Sequence, residues 1–167
     1  PEYTKAALAS GQLARSQGLP WRSSNACASN VEDAQAAYES EMSIWATVRS
    51  HCNLMIHGGG GLEGGLTASF EKLILDAEML QMMISTLQPI EVSDSTLGLS
   101  TCAEVGPGGH FFGAADTLSR YQDAFYAPLV SDWSNFENWR DAGSLTASQR
   151  ANGVWKKLLQ DYEAPPI

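Results

Sequence analysis

HGGGGLEGGLTASFEKLILDAEM, residues 57–79, decides how this chain folds. A short apolar segment, Leu54-Met55-Ile56, runs into a run of glycines that carries one histidine and one glutamate. An amphipathic helix follows. That order predicts a strand, a ligand-facing loop and a helix. Glycine weakens a fold unless its backbone must take positive φ or approach something closely. A second glycine loop with a histidine, EVGPGGHFFG at 104–113, lies downstream. Two such loops point to a binding or catalytic site in an α/β enzyme.

Outward from this stretch, the spacing predicts a helix over 3–17, stopped by Gly18-Leu19-Pro20, and a short strand over 21–25. A second helix is expected over 31–50, capped by Asn30 or Ser29, with Ala34, Ala37, Tyr38, Met42 and Trp45 on its apolar face. The segment from Cys52 to His57 reads as a strand covered on both faces. Beyond the loop at 58–66, the helix over 68–87 has Phe70, Leu73, Ile74, Ala77, Leu80 and Met83 or Ile84 as its buried stripe. Helices are also expected over 94–105, over 117–130 and over 146–162. The last starts on a Thr146/Gln149 capping box, and Pro165-Pro166 ends the chain. Strand, loop and helix alternate in the first half, which implies parallel βαβ units.

The chain's 167 residues are 44% hydrophobic and 17% charged, enough for one domain with a core. A net charge of -9 excludes a basic nucleic-acid footprint and disfavours an anionic membrane. No apolar run approaches the ~20 residues of a membrane span. Without a signal-peptide pattern the expected location is cytoplasmic. A start at Pro1 reads as the inside of a longer protein. Three separated cysteines, Cys27, Cys52 and Cys102, read as free thiols.

Within the loops, His57 closes the predicted strand and is placed to bond a substrate carboxylate or act as an acid near neutral pH. Glu63 either balances an ammonium or pins its own loop. His110 is a second pocket candidate, and Trp21, Phe111 and Phe112 are candidate aromatic walls. Gly58, Gly59, Gly60, Gly64 and Gly65 form the first loop, and Gly108 and Gly109 the second. His51 reads as structural. The loop matches neither GxGxxG nor GxxxxGK[ST], and it holds no Lys or Arg, so nucleotide binding is disfavoured. A zinc site from His57, His110 and a cysteine has no local ligand pair behind it.

Six stretches carry a resemblance. They are GLPWRSS (18–24), DAQAAYE (33–39), LEGGLTASFEKLILDAEMLQMM (62–83), EVGPGGHFFG (104–113), TLSRYQDAFYAPLVSDWSNFENW (117–139) and QRANGVWKKLLQDYEAPPI (149–167). Together they resemble the C-terminal part of the trimethylamine methyltransferase family of corrinoid methyltransferases. The resemblance implies the C-terminal portion of a TIM-type (β/α)8 barrel with additional C-terminal helices. A full barrel takes about 250 residues, so only its last units fit here. It also implies methyl transfer from a methylated amine, quaternary like glycine betaine rather than trimethylamine, to the Co(I) of a separate corrinoid protein. The corrinoid (cobalamin) then belongs to that partner, and no cofactor is expected to be held tightly by this chain.

Some members of the family carry pyrrolysine, and this sequence shows no nonstandard residue. Gly61 stands where many members have an aromatic, and Ser100 where an acid is usual. His57 and Glu63 are the expected polar, catalytic contacts. Trp21, His110, Phe111 and Phe112 are the expected substrate-binding residues. Half a barrel leaves sheet edges open, so a homo-oligomer is expected rather than a lone monomer. The rival expectations are a truncated, non-catalytic assembly module of the same fold, and zinc-dependent methyl transfer.

Overall fold

A computed structural model describes residues 1–165. Pro166, of the closing Pro165-Pro166 pair, lies outside the described residues. The backbone gathers into two compact units. One comprises Pro1–Leu80 and the segment from Leu129 onward. The other is Gln81–Pro128.

The first unit opens with α1 (Glu2–Ser16) and β1 (Arg22–Ser24). Helix α2 (Ala34–Arg49) leads to β2 (Leu54–Ile56), which pairs with β1 in parallel, Ser23 opposite Met55. Parallel strands need a long crossover, and α2 supplies it. This is the βαβ unit that the alternation predicts. The glycine stretch then folds as a small antiparallel hairpin, β3 (Gly61–Leu62) with β4 (Thr67–Ala68), around a 3-10 turn at Glu63–Gly65. Helix α3 (Phe70–Leu87) follows the hairpin and runs on into the second unit.

Asp33, not Asn30 or Ser29, caps α2. Its carboxylate accepts the N–H groups of Gln35 and Ala36, and Ser29 braces it from the side. The face of α2 that packs inward is also not the predicted one. Ala36, Ser40, Ser43, Ile44, Ala46 and Thr47 are buried, while Tyr38 and Met42 are exposed. Close approach selects small side chains, and the hydroxyls find partners: Thr47 donates to Ser23 Oγ at 3.1 Å, and Ser43 accepts the Ala26 N–H at 2.9 Å. The reading of β2 also needs correction. Leu54 is exposed and its neighbours only half-buried, because this sheet has two strands among the described residues.

Helix α3 departs furthest from its pattern. Ile74 and Met83 are buried as expected, but Phe70, Leu73 and Ile84 are exposed. Lys72, Asp76 and Glu78 take the inside instead. Each charge is matched there, as described below. Ile74 packs with Val130 and Ala151, flanked by Leu75, Val154 and Trp155. This cluster seats α8 (Ala147–Gln160), which starts on the predicted Thr146/Gln149 capping box. Before it lies α7 (Phe136–Asp141).

In the second unit, the helix predicted over 94–105 is two pieces, α4 (Asp94–Leu97) and α5 (Leu99–Val105). Gly98 separates them in the left-handed conformation at φ 62°. The helix predicted over 117–130 is only α6 (Ala115–Arg120). Its apolar positions Leu118, Tyr121 and Phe125 are exposed. Short helices without a packed face do not propagate.

Candidate active site

Both parallel strands end on the same cavity. Its volume is about 710 Å³. The residues after β1, Asn25 to Cys27, form one wall and His57 at the end of β2 another. The glycine hairpin and the first turn of α3, with Ser69, Phe70 and Leu73, complete it. In open α/β sheets ligands bind beyond the carboxyl ends of the strands. The hairpin is tied down by backbone bonds from Glu63 N–H to the Ser29 carbonyl and from Gly64 N–H to the Cys27 carbonyl, 2.9 and 2.8 Å.

Glycine is required where the loop crosses α3. A Cβ on Gly59 would stand 3.1 Å from the Asp76 Cβ and 3.3 Å from a Leu73 methyl. Gly60 has φ 83°, and its N–H donates to Asp76 Oδ2 at 2.8 Å. Neighbouring His57 holds φ 55° without being glycine. Non-glycine residues pay for the left-handed conformation, and such strain gathers at functional sites.

Among the described residues the wall carries no carboxylate and no Lys or Arg side chain. Its polar groups are the Asn25 amide, the Ser24, Thr67 and Ser69 hydroxyls, the Cys27 thiol, the His57 imidazole and the loop backbone. Burial pushes the Cys27 thiol up, away from thiolate, against smaller opposing effects from the Ser29 backbone and Lys72. It is a neutral wall group rather than a nucleophile. Asn25 is committed: its Nδ2 donates to the Gly58 carbonyl (3.2 Å) and to Asp76 Oδ2 (3.3 Å). Phe70 stacks on Trp155, ring centroids 5.0 Å apart, and lines the cavity.

Of the residues singled out from sequence, the cavity brings together His57, Gly59, Gly60, Gly61, Gly64 and Gly65. Gly58 lies just behind, bonded to Asn25. Glu63 is exposed at the hairpin turn, where its carboxylate accepts the Thr67 hydroxyl at 2.8 Å. Trp21 precedes β1, at the end away from the cavity. Its indole donates to Ser50 Oγ and its N–H to Asn53 Oδ1. His110, Phe111, Phe112, Gly108 and Gly109 belong to the second unit, where the His110 and Phe112 rings lie 5.8 Å apart and are exposed. Among the described residues no group of three His, Cys, Asp or Glu side chains is placed to hold a metal ion. Nor is any helix among them long and apolar enough to cross a membrane.

Asn25 and Phe70 escaped the sequence reading. Asn25 sits in a polar stretch with no motif, and Phe70 fits the helical stripe that was assigned to the core. The position of Asn25 just after a strand is the one signal that points to it.

The trimethylamine methyltransferase (MTTB) family profile matches residues 1–167. The chain belongs to this family. The glycine betaine methyltransferase of Desulfitobacterium hafniense strain Y51 is 33% identical over 168 residues, covering all of this chain and 35% of that protein. The trimethylamine methyltransferase MttB of D. hafniense strain DCB-2 is 32% identical over 157 residues, 93% of this chain and 31% of its own length. MttB2 of Methanosarcina mazei is 29% identical over 168 residues, all of this chain and 34% of that protein. This member of the trimethylamine methyltransferase family therefore spans about a third of the length of the curated relatives it matches.

Proposed function

We propose that this chain supplies the amine-binding wall of a corrinoid-dependent methyltransferase, as the C-terminal portion of a TIM-type (β/α)8 barrel. The methyl donor is a quaternary amine of the glycine betaine type. The acceptor is the corrinoid of a separate protein, whose Co(I) supplies the nucleophile.

One observation carries this choice of donor: among the described residues, the cavity at the strand ends has no carboxylate, Lys or Arg in its wall. A free methylammonium cation would call for a carboxylate. A zwitterion of zero net charge does not. Its quaternary nitrogen can neither donate nor accept a hydrogen bond, and aromatic faces such as Phe70 attract it by about 0.5–2 kcal/mol each. Its carboxylate matches hydrogen-bond donors, the His57 ring and the N–H groups of a glycine loop. The methyl carbon on a quaternary nitrogen is also the easier one to attack, because the amine leaves neutral. A glycine betaine methyltransferase among the relatives supports the same donor class.

The test is calorimetric titration of the full-length protein with glycine betaine and with trimethylamine, beside His57→Ala. Saturable glycine betaine binding, weakened at least tenfold (about 1.4 kcal/mol) by the substitution, is expected. Preference for trimethylamine, or no binding of either by folded protein, would overturn the donor assignment.

A further inference from the structure

Behind the glycine loop lies a closed polar network that the proposed chemistry does not use. Lys72 and Asp76, one turn apart on α3, are each 2% exposed. The Lys72 ammonium donates to both Asp76 oxygens, at 2.5 and 2.6 Å, and to Ser40 Oγ on α2 at 2.8 Å. Asp76 Oδ2 also accepts the Gly60 N–H at 2.8 Å and the Asn25 amide at 3.3 Å. Asn25 reaches on to the Gly58 carbonyl, and its Oδ1 accepts the Ser43 hydroxyl at 3.2 Å. One carboxylate thus joins the end of β1, the glycine loop and α3, and its lysine adds α2.

Stability alone does not account for such a pair. Desolvating two charges costs about what their attraction returns, and well-packed apolar residues often serve as well. Burial pushes the Asp76 carboxyl up, against the pull of Lys72, Gly60 and Asn25. What an apolar pair lacks is a hold on the backbone. Gly60 at φ 83° and Gly58 have no side chains of their own with which to fix the loop. We propose that Lys72, Asp76 and Asn25 are positioning residues: they lock Gly58 and Gly60 against α3, and so hold the loop amides and His57 in the shape that receives the amine. The role in amine binding rests on the function proposed above. The role in loop order does not.

The test compares full-length protein with the double variant Lys72→Met/Asp76→Leu, which removes both charges while keeping apolar bulk. Two readouts are taken: amide hydrogen exchange across 58–61, without ligand, and glycine betaine affinity. The expected result is a cooperatively folded variant in which these loop amides exchange at least tenfold faster, α8 amides are unchanged, and the amine binds at least tenfold more weakly. Unchanged loop exchange would overturn the proposal, as would faster exchange with undiminished affinity. Should the double variant not fold, Asn25→Ser cuts the Gly58 and Asp76 contacts without touching the ion pair, and the same readouts decide. If unaltered protein binds no amine, the proposed function fails on its own, and loop exchange still judges the positioning.

Discussion

The Val130 N–H donates to Glu78 Oε2 at 2.5 Å, across 52 residues of sequence. The same carboxylate accepts Leu129 and Ser131 N–H groups at 3.2 and 2.9 Å. Glu78, 3% exposed on α3, thus caps three successive amides of a segment that has no regular structure. The Val130 side chain, in the middle of the three, enters the Ile74–Ala151 cluster. A charge inside the fold is tolerated because the backbone meets it with fixed donors.

Glu78→Gln replaces one acceptor oxygen by an amide that cannot accept. At least one buried N–H loses its partner and the remaining bonds lose their charge assistance. The expected loss is about 2–4 kcal/mol, read from urea denaturation. A variant as stable as the parent would show that the 129–131 segment finds other acceptors.

Gly11 on α1 faces Ser50 at the end of α2, and a Cβ there would strike the Ser50 carbonyl and lie 2.6 Å from its Cβ. Ser50 has little room to yield. Arg15 donates to its carbonyl, and its Oγ accepts the Trp21 indole and donates to the Thr47 carbonyl. Gly11→Ala gains about 1 kcal/mol of helix propensity and costs about 1–3 kcal/mol in overpacking. The clash wins, and the melting temperature should fall. A rise would mean that α1 shifts freely on α2.

The stretch 57–79 was legible because glycine and apolar runs act locally. They mark where a strand must end and a helix begin. The parallel pairing of 22–24 with 54–56 followed from the helix between them. Which face turns inward was not legible. Tyr38, Met42, Phe70 and Leu73 look like core by type yet are exposed, whereas Ser40, Lys72, Asp76 and Glu78 are buried. Periodicity counts apolar residues and cannot see a partner that arrives from another element. The i,i+4 spacing of Lys72 and Asp76 is visible, but that spacing ordinarily marks a solvated pair. Asn25 became interpretable only once folding set it beside Gly58 and Asp76.

Glu71 gives the fold an acid limit. The Asn152 amide and the Trp155 indole donate to its Oε1 at 2.6 and 2.8 Å and hold its carboxyl down at about 2. A depressed acid stabilises the fold while it is ionised. That contribution is full above the ordinary carboxylate range near 4.5 and fades as pH falls from there towards 2. The contact joins α3 to α8 beside the Phe70–Trp155 stack. Glu71→Gln should therefore cost about 1–3 kcal/mol at pH 7 and converge on the parent near pH 2. Equal destabilisation at both pH values would mean that charge plays no part.

His57 separates function from stability. It lines the cavity, is exposed, and has no hydrogen-bond or ion-pair partner among the described residues, yet it holds φ 55°. A side chain in that conformation costs about 1–2 kcal/mol. Glycine would relieve it but loses about 0.4–1 kcal/mol through the freer unfolded chain. His57→Gly should then raise stability by up to about 1.6 kcal/mol and weaken glycine betaine at least tenfold. His57→Asn, which tolerates the same backbone, should keep the stability of the parent and lose the affinity. Together the two variants decide why a strained histidine is kept at a strand end. If both bind like the parent, the imidazole has no part in the site. If His57→Gly is destabilised, the ring holds the loop through packing.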